Sequence, residues 1–135
     1  MNKTRFFSIF LCLLAFTQGS LADQARILFA DFQQAGDGLW RVSVTLKHAD
    51  AGWDHYADNW RVVDGQGNVL ADRVLYHPHV NEQPFTRSQG GVDIPKGVEL
   101  VYIEAHDKVH GWSKQRLKVD MSRVEGGRLQ VPAKE

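Results

Sequence analysis

From residue 27 onward the apolar and polar positions alternate with a period of two, and turn residues break the alternation at short intervals. That pattern sets one face of each segment against a core and the other against water, as antiparallel strands require. The clearest segment is 39–47, where Trp40, Val42, Val44 and Leu46 alternate with Arg41, Ser43, Thr45 and Lys47. The same reading predicts strands over 27–34, 57–63, 68–76, 85–94, 98–105 and 112–120, with an irregularity at Gly90-Gly91. No stretch carries a helical period, an internal repeat or low complexity.

Seven short strands in about a hundred residues, with Trp60 on the third, predict an all-β domain over 23–120. The expected architecture is a single immunoglobulin-like or fibronectin-III-like antiparallel β-sandwich of about seven strands. The segment 95–107 resembles the E–F corner and F strand of fibronectin-III domains, without the usual spacing of the corner tyrosine. A jelly roll or cupin-like barrel is the alternative, since histidine pairs are common there. Residues 121–135 read as a C-terminal tail, loose except for a candidate short eighth strand at 128–131.

Residues 1–22 stand apart from this pattern. Lys3 and Arg5 precede the apolar run from Phe6 to Phe16, which is too short to span a bilayer, and Ser20-Leu21-Ala22 offers small residues for cleavage. A signal peptide cleaved near Ala22-Asp23 is expected, with the mature chain in the periplasm or secreted and without a membrane anchor. The single cysteine, Cys12, lies mid-run behind Leu11, which disfavours lipidation there. The mature chain then has neither a disulfide nor a thiolate ligand. Loss of Lys3 and Arg5 lowers the basic count from 16 to 14, against 16 acidic side chains. With no basic cluster, nucleic acid is not an expected partner. A monomer or weak dimer is expected.

The predicted strand order gives the histidines a meaning. In an antiparallel sandwich successive connections alternate between two ends. Those at 35–38, 64–67 and 95–97 contain no histidine, whereas those at 48–56, 77–84 and 106–111 hold all six. Imidazoles gathered at one pole point to a metal, and without cysteine or a usable methionine the expected ions are Cu(II) or Zn(II). The predicted ligands are His55, His77, His79, His106 and His110. His48, Asp54, Glu82 and Asp107 are expected either behind them, orienting imidazoles, or as ligands themselves. His77-Pro78-His79 and Pro84 bracket a stiffened loop. Arg87 is expected to be structural, pairing with Asp58 or Glu82.

Trp40 and Trp60 read as core. Trp53, Tyr56 and Trp112 flank the loops and are candidates for stacking on a ligand, so the second reading is a protein- or glycan-interaction module. A periplasmic protein partner fits either reading. An enzyme is less favoured and no catalytic residue is assigned, because Ser88 and Ser113 lack a nucleophile-elbow context and the carboxylates show no glycosidase pairing. The segments Gly52-Trp53-Asp54-His55-Tyr56-Ala57-Asp58 and His77-Pro78-His79, with Glu82-Gln83-Pro84-Phe85-Thr86-Arg87, resemble a small family of exported bacterial proteins. The resemblance covers most of the mature chain and implies no activity.

Overall fold

The computed structural model describes residues 24–135; the expected signal peptide lies outside the described residues. Eight strands form: β1 (Arg26–Gln34), β2 (Trp40–Lys47), β3 (Ala57–Asp64), β4 (Val69–Val74), β5 (Phe85–Val92), β6 (Leu100–Asp107), β7 (Gly111–Asp120) and β8 (Arg128–Pro132). They make two four-stranded antiparallel sheets, ordered β5-β2-β1-β8 and β4-β3-β6-β7. The chain is an all-β sandwich. The tail contributes an eighth strand, since β8 pairs with β1 from Gln33↔Arg128 to Phe29↔Pro132. A short 3-10 turn at Met121–Arg123, capped by the Asp120 carboxylate, leads into it.

The alternation seen in the sequence is what packs the two sheets. Val42, Val44 and Leu46 of β2, Trp60 and Val62 of β3, and Val101, Ile103 and Ala105 of β6 are all fully buried. Trp40 sets its ring edge-on to Phe32 with centroids 6.4 Å apart, so Trp40 and Trp60 are core residues. A register shift in β1 between Ile27 and Phe29 moves the inward row from Ile27 to Ala30 and Phe32. A second shift opposes Trp40 and Val42 to Val92 and Gln89. Gly91 lies there with φ 65°, a conformation side chains resist, so the Gly90-Gly91 irregularity is a bulge.

Two tight turns close the far end. Asp37 Oδ1 accepts from the Leu39 N–H, and Asp64 Oδ1 accepts from the N–H groups of Gln66 and Asn68. At the other end lie the connections β2–β3, β4–β5 and β6–β7. The pairings Leu46↔Phe85, Asn59↔Val74 and Ala57↔Asp107 bring them side by side.

Candidate functional site

The alternation that builds the core runs past the strand ends, and this positions the site. On β2 the inward row Trp40, Val42, Val44, Leu46 continues to His48, which is buried. On β6 the row Val101, Ile103, Ala105 continues to Asp107, which is wholly buried. His55 reaches the same place from the β2–β3 connection. Its Nε2 lies 3.2 Å from Asp107 Oδ1, and its ring meets His48 edge-on with centroids 4.8 Å apart.

One donor atom from each of His48, His55 and Asp107 lies within 4.8 Å of the other two. Among the described residues this is the one such group of three or more. His110 adjoins it, with Nδ1 3.0 Å from Asp107 Oδ1 and its ring centroid 5.1 Å from that of His55. Asp107 Oδ1 also accepts from the N–H groups of Val109 and His110. Burial alone would raise this carboxyl. The His110 and Val109 N–H groups, together with the His110 imidazole, outweigh burial and hold it below the usual carboxylate range. Asp107 Oδ2 and His55 Nε2 are buried without any hydrogen bond.

A buried carboxylate that sequence reasoning missed, Asp50, ties this group to the next loop. Asp50 Oδ1 stands 2.6 Å from His48 Nδ1 and accepts from the Ala57 N–H, while Oδ2 accepts from the His79 N–H at 2.7 Å. Gln83 makes a second tie. Its Oε1 accepts from the His48 N–H and its Nε2 donates to His79 O. The His48 ring is therefore fixed by a carboxylate, as histidines that bind metals usually are.

The remaining predicted histidines stand in two other clusters. The His77 and His79 rings are tilted toward each other with centroids 4.6 Å apart, and His79 lies flat on Phe85 at 4.0 Å. Arg87 Nη2 approaches His79 Nε2 at 2.8 Å, and Arg87 Nη1 pairs with Glu82 at 3.3 Å, so Glu82 is the carboxylate Arg87 takes. A guanidinium only donates, so His79 Nε2 accepts and the ring is neutral with its proton on Nδ1. That Nδ1 is 4.0 Å from Asp50 Oδ2. His106 sits inside β6 on its outward face, bonded through Nδ1 to Asp58 and edge-on to Trp112. Arg61 covers the Trp112 ring at 3.7 Å. Tyr56 is buried, with its ring edge-on to the exposed Trp53 at 6.0 Å. Asp54 takes no part in any of these clusters.

Burial, then the charges of Arg87 and His77, holds the His79 imidazole below the usual histidine range, against the pull of Glu82 and Asp50. Near pH 6 the unfolded chain then binds more protons at this position than the folded chain. Stability drawn from neutral His79 is present above the ordinary histidine value of about 6.5 and is lost as pH falls below it. Urea midpoints at pH 7.5 and pH 5.0 should show a drop for the native chain and a smaller drop for His79→Gln. Equal drops in both would remove His79 as its source.

A similar protein from Halomicrobium mukohataei is 39% identical over 97 residues, or 72% of this chain and 47% of that protein. It is described as a candidate lipoprotein, and the chain spans about half its length. No family model and no solved structure matches the chain. Among the described residues no helix is long and apolar enough to cross a membrane.

Proposed function

We propose that this is an exported metal-binding protein that holds Zn(II) or Cu(II) through His48, His55 and Asp107. The observation that carries the reading is the convergence of these three side chains, with His55 Nε2 and Asp107 Oδ2 buried and without a hydrogen bond. A buried polar atom without a partner costs about 1–3 kcal/mol, and a cation between these two atoms removes that cost for both. Two imidazoles and a carboxylate suit Zn(II) and Cu(II), and the chain after its leader offers no cysteine to favour a softer ion. Ligand atoms of a tetrahedral zinc site stand about 3.4 Å apart, given bonds of ~2.0–2.1 Å. The atoms here lie within 4.8 Å of one another, and a loop movement of at most about 1.4 Å closes them to that value. His110 is the neighbouring fourth donor. Export is supported by the leader pattern and by the lipoprotein description of the relative.

Calorimetric titration of the purified chain with Zn(II) and Cu(II) tests this. Binding tighter than ~10 μM is expected for one ion, about 7 kcal/mol. Asp107→Asn should weaken it at least tenfold, while His77→Ala and His106→Ala leave it unchanged. Equal loss in the last two variants, or no binding, removes the proposed ligand set.

The interaction-module reading has its own support. Trp53, Tyr76, Val80 and Val109, 64%, 74%, 54% and 59% exposed, all stand on the connections of this same end. The two readings separate on chelation. Partner capture that persists in EDTA and falls with Trp53→Ala belongs to the module, with a periplasmic protein or a glycan as its partner.

A further inference from the structure

Far from the histidines, the sandwich is open along one side. β7 ends one sheet and β8 ends the other. Between them runs a groove of about 1,090 Å³. Its floor is apolar, formed by Leu117, Leu129 and Val131, which pack on the core.

Its walls are strand edges, and period-two alternation fixes which main-chain groups point into it. On β7 the Lys114 N–H donates outward to Gln24 Oε1, whereas the Met121 N–H donates the other way, to Glu99 O. The even-numbered residues of β7 therefore turn away from β6. Arg116 and Lys118 present N–H and C=O groups along the groove, where no strand among the described residues pairs with them. On β8 the odd-numbered residues face β1, as Ala133 N–H to Leu28 O and Gln34 N–H to Gly127 O show. The outer edge of β8 is blunted, because the Arg128 N–H donates to Glu125 O and Pro132 has no N–H. β7 is the better template for a further strand.

Charge selects the occupant. Five basic residues line the groove against Asp120 and Glu125, in a chain whose formal net charge is zero, and of these Arg116 lays its guanidinium over the Tyr102 ring at 3.7 Å. Arg128 is engaged by Asp31 at 3.2 Å, but Lys118, Arg123 and Lys134 form no ion pair among the described residues. These cations are distributed along the two strands, and no buried polar side chains converge on one point as a small-molecule site requires. An open edge above an apolar floor, rimmed by unpaired cations, matches an extended chain carrying alternate carboxylates.

We propose that the groove binds an acidic peptide segment of a partner protein, which adds to β7 as a fifth strand. Main-chain hydrogen bonds to Arg116 and Lys118 hold it, its apolar side chains cover Leu129 and Val131, and its carboxylates meet Lys118, Arg123 and Lys134.

The probes are four fluorescein-labelled synthetic peptides: alternating valine and glutamate, the same with lysine for glutamate, and the acidic peptide N-methylated at alternate residues in each of the two registers. Anisotropy against the full chain should show the acidic peptide bound at least about tenfold tighter than the basic one at low salt. N-methylation in one of the two registers should abolish binding, and added salt should weaken it. Lys118→Glu with Arg123→Glu should reverse the preference while the melting temperature stays the same. The proposal is overturned if acidic and basic peptides bind alike, or if N-methylation in both registers is without effect. It also falls if heparin binds as tightly as the acidic peptide and loses binding in the same double variant. A dimer in sedimentation that the double variant dissolves overturns it in favour of a second copy of the chain.

Discussion

Asp50→Ala is expected to cost the fold about 3–5 kcal/mol, because three buried donors lose their acceptor at about 1–3 kcal/mol each. The Asp50 carboxylate is completely buried and joins three pieces of chain: His48 beyond the end of β2, Ala57 at the start of β3, and His79 in the β4–β5 connection. Alanine leaves the N–H groups of Ala57 and His79 without acceptors and the His48 ring without its carboxylate. Each orphaned donor contributes about 1–3 kcal/mol to the loss. Asp50→Asn retains one acceptor oxygen and should fall between alanine and the native chain. In a chain that still folds, Asp50→Asn should also weaken metal binding by about 10–100-fold, because it loosens a ligand without removing one. Guanidinium unfolding gives the first number and calorimetry the second. A loss below about 1 kcal/mol for Asp50→Ala would show that water replaces the carboxylate, and that the two loops are held by Gln83 alone.

The sandwich was readable because its strands are half buried. Trp40, Val42, Val44 and Leu46 declare an inward face with no knowledge of what they pack against. The same rule carried two residues further finds two of the three proposed ligands: His48 and Asp107 are the next inward positions on β2 and β6. Ending the sixth strand at Ala105 placed Asp107 in a loop and hid this, while His106, one residue earlier, faces outward to Asp58 and Trp112. Asp50 and Gln83 left no signal of that kind. Their roles come from contacts 29 and 35 residues away in sequence, between two connections without periodicity. The His77-Pro78-His79 corner has the opposite history. It is conspicuous as a string, yet the structure spends His79 on Arg87, Phe85 and Asp50.

Zn(II) is expected to raise the melting temperature of the native chain by roughly 10–20 °C, and to leave that of His55→Ala nearly unchanged. A ligand that binds only the folded state stabilises it according to its concentration over its dissociation constant. With a constant of about 1 μM and 1 mM free metal, the gain is about 4 kcal/mol. In a domain of this size each kcal/mol shifts the melting temperature by about 3–5 °C. His55 is the residue to remove because its own part in the fold is small. Its side chain is 27% exposed, and its Nε2 meets only the Asp107 carboxylate, without a hydrogen bond. The metal-free melting temperature should therefore stay within a few degrees of native in His55→Ala. His48→Ala would mix loss of a ligand with loss of a buried partner of Asp50. His77→Ala, outside the group, should retain the full rise. Calorimetric scans of the three proteins with Zn(II) and with EDTA separate the cases. A rise of equal size in native chain and His55→Ala would mean that zinc binds elsewhere on the surface. A rise lost in His77→Ala and kept in His55→Ala would move the site to the β4–β5 corner, with His79 released from Arg87 to serve as ligand.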